Sequence, residues 1–280
     1  MTVAEAILLG TLQGLTEFLP VSSSGHLMLG SALLGMTEPN LLFDVLVHVA
    51  TLVAVLVFLR SEVVAVIRGA LRGGAAIARG QAVAAWRDDR EARLAALVLI
   101  ATVPTGLIGA LAGRWLSNST ATPTAVGVVL IINGFVLLGS KWAGRGRDGG
   151  AQEGGKPWGV GTALLIGVGQ GLAVLRGLSR SGTTITLGLA GGLSREEAFN
   201  YSFLLSVPAI LGALVLELDP GALMAPGGAA AHIAGFLAAL PVGYLSLILL
   251  SAIVRRGGLH IFAPWCWALG GIALWLGSAS

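Results

Sequence analysis

The chain has 280 residues, 55% of them hydrophobic and 11% charged, with a mean hydropathy of +0.86. Soluble domains carry about 25% charged residues, so the composition excludes a soluble globular protein and indicates a polytopic membrane protein. A net charge of +3 gives no case for nucleic acid as a partner, and a single cysteine, Cys266, excludes an internal disulfide or thiolate metal cluster.

No Lys or Arg precedes Arg60, and Glu5 sits near the start. That is a poor signal peptide, so the N-terminus is expected to be retained. Val3 to Leu19 is an apolar, helix-like run stopped by Pro20, and Gly25 to Leu34 is a shorter one. Neither reaches the ~20 residues that span a bilayer, so residues 3–34 read as a re-entrant helix-loop-helix hairpin. Leu41 to Leu59 is long enough to span and carries Asp44 and His48, and Arg60 to Arg93 reads as a polar, basic loop. Leu94 to Gly113 spans with a kink expected at Pro104, and Thr124 to Ser140 spans after a short turn.

Residues 143–158 form a basic, Gly-rich linker, after which the pattern restarts. Residues 159–192 read as a second re-entrant hairpin. Ala198 to Leu216, Ala229 to Val254 and Ile261 to Gly277 each span. The predicted fold is therefore all-α, with six transmembrane helices and two re-entrant hairpins in two repeats, 1–142 and 159–280. Three spans between the hairpins invert the second repeat. With the N-terminus outside, 14 of the 17 basic residues fall on cytoplasmic segments, as the positive-inside bias requires. Arg176 and Arg180, in the second hairpin, are exceptions that need a reason.

The repeat is visible residue by residue. Gln13-Gly14-Leu15, shifted by 157 positions, falls on Gln170-Gly171-Leu172, and Ser22-Ser23-Ser24-Gly25 falls on Ser179-Arg180-Ser181-Gly182. The copies differ where chemistry resides: Glu17 faces Val174, Ser23 faces Arg180 and His26 faces Thr183. Inverted repeats with paired broken segments place a site at the repeat interface. Helix starts at Gly25 and Gly182 would aim N–H groups at an anion there. Ser22, Ser24, Ser179, Ser181, Thr183 and Thr184 supply hydroxyls, though any one serine at a helix start is more simply a cap. Gln13 and Glu17 share a helix face. A buried carboxylate needs a cation or metal beside it, and a membrane-depth arginine such as Arg180 suits bidentate phosphate binding. His26 fits a nucleophile or proton donor. Asp44, His48, Asn133 and Asn200 fit either support of the site or hydrogen bonds across helices, and Trp265 fits packing or an interface anchor.

Gln13 to His26 resembles the first signature of the undecaprenyl pyrophosphate phosphatases, the bacitracin-resistance family, and Gly177-Leu-Ser-Arg-Ser-Gly-Thr-Thr184 resembles the second. Tyr201 to Pro208 is similar to a further family segment. The resemblance implies an enzyme of the bacterial cytoplasmic membrane that removes the terminal phosphate of the C55 lipid carrier. It also implies dependence on Mg²⁺ or Ca²⁺, with Glu17 and Gln13 as candidate ligands, and a site open to the outer face. Arg176 replaces the family's proline, placing a second cation near Arg180. Ser23 or His26 would attack phosphorus or activate water, with Ser23 preferred, His26 shuttling the proton and Glu17 as base or ligand. A flippase of the same lipid is the rival, because inverted repeats are also transporter architecture. A type 2 phosphatidic acid phosphatase is set aside, since no histidine lies between His48 and His232. A homodimer is left open.

Overall fold

A computed structural model of the chain describes residues 1–36, 40–143, 158–217 and 229–279. Among these, all regular structure is helical. Helix α1 (Val3–Phe18) opens on a capping box: Thr2 Oγ1 accepts the Glu5 N–H at 3.2 Å, and the Glu5 carboxylate accepts the Thr2 N–H at 2.7 Å. It stops before Pro20. After a tight loop, α2 (Ser23–Leu33) completes the first hairpin. Helices α3 (Leu41–Phe58), α4 (Arg60–Ala78), α5 (Ala82–Asp88), α6 (Arg90–Ser119) and α7 (Pro123–Ala143) follow. The second hairpin is α8 (Val160–Leu172) and α9 (Arg180–Ala190), succeeded by α10 (Arg195–Glu217) and α11 (Ala229–Arg255). A 3₁₀ turn over Leu259–Phe262 leads into α12 (Ala263–Ala279).

Five stretches, α6, α7, α10, α11 and the turn with α12, are long and apolar enough to cross a membrane. Helices α3 and α4 meet the same length and apolarity requirement only when taken together, and they bend by 84° where they meet. The protein is thus a multi-pass, all-α membrane protein. The basic stretch from Arg60 to Arg93 is a departure from expectation, because it is largely helical rather than a loop. Its arginines are interleaved with Ala, Val and Ile at helical spacing, so one face stays apolar. Gly80, at φ +71°, closes α4. Asp89 caps α6 by accepting the Glu91 and Ala92 N–H groups at 3.0 Å, and Arg72 grips Asp89 and Glu91 from α4.

The two sequence copies are interlocked. α1 packs along α11, and its counterpart α8 packs along α6, while α7 and α12 pair across the molecule. Glycines make these approaches close enough to matter. A Cβ at Gly10 would stand 2.3 Å from the Gly235 carbonyl oxygen, and one at Gly167 would stand 2.2 Å from that of Ala101. Gly10 and Gly167 are the same position of the repeat, as are Gly14 and Gly171. Such small-residue contacts let membrane helices touch backbone to backbone. The largest buried cluster, which includes Phe18, Tyr201 and Phe203, draws on residues of both hairpins and of α3, α6, α7, α10, α11 and α12.

Candidate functional site

Pro20 ends the first helix and Ser22, in the left-handed region at φ +69°, turns the chain back into α2. The helices start two residues earlier than the glycines suggested. Ser23 is therefore the first residue of α2, and Arg180, its counterpart in the repeat, is the first residue of α9. Ser22 caps α2 by accepting the Gly25 N–H at 3.4 Å, and Ser179 caps α9 by accepting the Gly182 N–H at 3.1 Å.

The two loops are stitched to each other by hydrogen bonds buried in the apolar core. Ser22 Oγ also accepts the Gly177 N–H at 3.1 Å, and Ser181 Oγ donates to the Phe18 carbonyl at 2.8 Å. Asn133, on α7, bridges both: its Oδ1 accepts the Ser179 N–H and its Nδ2 donates to the Pro20 carbonyl, each at 3.0 Å. Ser22, Ser179 and Ser181 thus hold the architecture. Thr184 does the same for α9, donating to the Arg180 carbonyl at 2.8 Å and meeting Ser202.

At the crossing sits Glu17, from the last turn of α1, its side chain 6% exposed. Its Oε2 accepts from Ser23 Oγ at 2.6 Å and from Gln13 Nε2 at 3.1 Å, and its Oε1 is held by Arg180 Nη2. The other donors of the Arg180 fork bond to none of the described residues. His48 from α3 brings Nε2 to 3.8 Å from Glu17 Oε2, with its Nδ1–H on the Asp44 carbonyl at 2.7 Å. The His48 side chain is 37% exposed and Ser24 is exposed too, so the centre reaches the surface along this edge. Being first-turn residues, Ser23, Ser24, Arg180 and Ser181 also present N–H groups with no carbonyl a turn behind them.

The ring of His26 makes its hydrogen bonds outside this cluster. Its Nδ1 bonds the Ser22 carbonyl at 2.9 Å, and its Nε2 accepts the Trp265 indole N–H at 3.1 Å, with the two rings stacked at 9°. Both nitrogens of a neutral ring are thereby used, and the tautomer is set with its proton on Nδ1. Thr183, its counterpart, is buried with its hydroxyl unpartnered. Gln170, the counterpart of Gln13, donates to the Leu205 carbonyl at 3.2 Å and stays outside the cluster. Arg176 is half-buried. Its backbone N–H donates to Thr120 Oγ1 at 3.0 Å, and its guanidinium meets no described partner. His48 and Asn133 were visible in the sequence only as polar residues in spans. Trp265 was legible only as packing or an interface anchor, and its pairing with His26, 239 residues away, carried no sequence signal.

Hard divalent cations take oxygen ligands and are often bound by one or two carboxylates plus substrate phosphates. Gln13 Oε1 is buried without a hydrogen-bond partner. Its orientation is settled, because the amide nitrogen must face the carboxylate. With Glu17 it forms a pair of oxygen donors suited to such a cation as a partial shell. No group of three or more His, Cys, Asp or Glu placed to hold a metal ion occurs among the described residues.

A membrane-buried acid, a serine and an arginine, gathered at two helix N-termini by paired hairpins, define an integral membrane protein built to handle an anion. The chain belongs to the family described as bacitracin resistance protein BacA, which matches residues 6–272. It is similar to the undecaprenyl-diphosphatase of Desulfatibacillum aliphaticivorans, at 44% identity over 96% of this chain and 97% of that one. The undecaprenyl-diphosphatases of Desulforapulum autotrophicum and Desulfosudis oleivorans are each 42% identical, over 98% and 99% of both chains respectively.

Proposed function

We propose that this chain hydrolyses undecaprenyl pyrophosphate to undecaprenyl phosphate and inorganic phosphate, recycling the lipid carrier and conferring bacitracin resistance. Membership of the bacitracin-resistance family and full-length relatives of about 40% identity support this reading. The observation that carries it in this molecule is Glu17 held between Ser23 and Arg180.

The diphosphate head docks where α2 and α9 begin, taking their free N–H groups and the unused Arg180 donors, with the prenyl tail between helices. Arg176, four residues before Arg180 in the chain, is the second cation in this reading. Phosphoryl transfer depends chiefly on such positioning and charge stabilisation. As Arg180 turns to the phosphates, Glu17 takes the Ser23 proton along the hydrogen bond between them. Ser23 Oγ attacks the terminal phosphorus, and the bond to the bridging oxygen breaks with its electron pair leaving on undecaprenyl phosphate. Water then attacks the phosphoseryl phosphorus, its protons leaving with the inorganic phosphate, as the P–Oγ bond breaks with its electron pair on Ser23 Oγ, to which protonated Glu17 returns its proton. His26 holds the Ser22 carbonyl rather than carrying protons. A bound Mg²⁺ or Ca²⁺ would be held by Glu17 and Gln13 Oε1 and would neutralise phosphate charge.

The same reading places the protein in the bacterial cytoplasmic membrane with repeats 1–142 and 159–280 inverted about the site, which opens outward. The linker 143–158 lies outside the described residues. The test is phosphate release from C55 pyrophosphate by purified protein, with EDTA and with Mg²⁺ or Ca²⁺ restored, beside Ser23→Ala. Metal-restored release, a trapped phosphoserine and its loss in Ser23→Ala are expected. Lipid translocation without release would replace this reading with the flippase.

A further inference from the structure

Residues 60–93 carry seven arginines, none of which takes part in the site. α4 leaves α3 at 84°. If α3 crosses the bilayer, that angle lays α4 near the membrane plane. At about 100° per residue, Val64, Ile67 and Leu71 fall on one narrow stripe, and they are 48%, 55% and 70% exposed. The opposite face is already taken: a Cβ at Gly69 would stand 2.2 Å from the Glu91 carbonyl oxygen at the start of α6.

Arg68, Arg72 and Arg79 flank the apolar stripe on one side, and Arg60 opens the helix in line with it. Arg72 is used by Asp89 and Glu91 at 2.7 and 2.6 Å. Arg60, Arg68 and Arg79 are exposed and form no ion pair with any described residue. An apolar stripe beside unpaired cations, on a helix perpendicular to a span, matches the surface of an anionic bilayer. Carrying α4 on through the hydrocarbon would instead bury Arg68 and Arg72 there.

We propose that α4, continued by α5, is an interfacial arm lying along the leaflet on the arginine-rich side. Its stripe enters the acyl boundary, and Arg60, Arg68 and Arg79 bind anionic lipid headgroups. α5 repeats the pattern with exposed Val83 beside exposed Arg87.

The experiment uses full-length protein in vesicles of phosphatidylglycerol and phosphatidylethanolamine, spin-labelled at Ile67→Cys, Arg68→Cys or Leu71→Cys. Cys266 is buried, and wild-type protein reads the background. Labels at 67 and 71 should collide with oxygen rather than a water-soluble nickel chelate, at a depth of about 5–10 Å, with 68 nearer water. Free access of nickel to 67 and 71 would place the arm in solvent. Steadily increasing depth along α4 would make it part of a broken span. Either overturns the proposal. In nanodiscs, wild-type protein should melt higher in phosphatidylglycerol than in phosphatidylcholine, and the triple Arg60, Arg68 and Arg79→Gln variant should lose that difference. An undiminished difference would remove the headgroup contact. Neither readout is phosphate release, so the result is independent of the proposed activity.

Discussion

Ser23 and Arg180 occupy the same position in two related loops, and each holds a different oxygen of one carboxylate, that of Glu17. Equivalent positions of the two loops thus carry unlike side chains that converge on one carboxylate. Removing one partner of a buried ion pair strands the other, at about 3–5 kcal/mol. Glu17→Ala should therefore lower both the melting temperature and the rate, the latter by ~100-fold or more. The double variant Glu17→Gln, Arg180→Leu should recover much of the stability and none of the phosphate release. Recovery of release would remove the pair from the mechanism.

Trp265→Phe keeps a ring over His26 but deletes the N–H that pairs with its Nε2. One neutral hydrogen bond is worth roughly 0.5–1.5 kcal/mol, so kcat should fall by roughly 3–10-fold, with KM changed less. A Trp265→Phe, His26→Gln double variant should cost less than the sum of the singles. Additive losses would mean that the two residues act separately.

Asn133→Leu is nearly isosteric but abandons the Ser179 N–H and the Pro20 carbonyl, both buried. Each orphaned group costs about 1–3 kcal/mol. A marked drop in melting temperature is expected, with weaker substrate binding because both loops lose their common anchor.

Gly167→Ala must push against the Ala101 carbonyl oxygen, 2.2 Å from the new Cβ, whereas Gly161→Ala on the same helix meets nothing within 4 Å. Overpacking costs about 1–3 kcal/mol, while an unobstructed Gly→Ala in a helix gains up to ~1 kcal/mol. Thermal melts should move in opposite directions for these two variants.

The Asp89 carboxyl is held below its ordinary value by the Ala92 backbone N–H and by Arg72. A lowered folded-state value means the stabilisation is present above the unfolded value and lost as pH falls through the folded one. Between pH 5 and 3, wild-type protein should lose more thermal stability than Asp89→Asn.

Much of this molecule was legible in its sequence because its strongest signals are local. Apolar runs, Pro20 and the 157-residue shift located the hairpins and long helices, and the unlike residues of the paired loops singled out Glu17 as needing a cation or metal and Arg180 as a phosphate binder, without pairing the two. What escaped depends on distant packing or on amphipathic balance. The arginines of residues 60–93 suggested a loop because charge was read without its period. His26 appeared available until Trp265, brought in by the final helix, occupied its second nitrogen. The serines near the helix starts divided into caps, cross-loop ties and one hydroxyl aimed at the carboxylate, a distinction set by a two-residue difference in where α2 and α9 begin.

The exchange of α1 and α8 between the copies has a consequence for biogenesis. α1 emerges from the ribosome first, yet the surface it lies against, α11, is made more than 200 residues later. Until then its glycine face has no native mate, and for the first 179 residues the Glu17 carboxylate has Gln13 and Ser23 beside it but no Arg180. The nascent chain must hold an acidic half-hairpin in waiting, and a truncated product lacking α11 and α12 would be left with an unsealed helix for quality-control proteases to find.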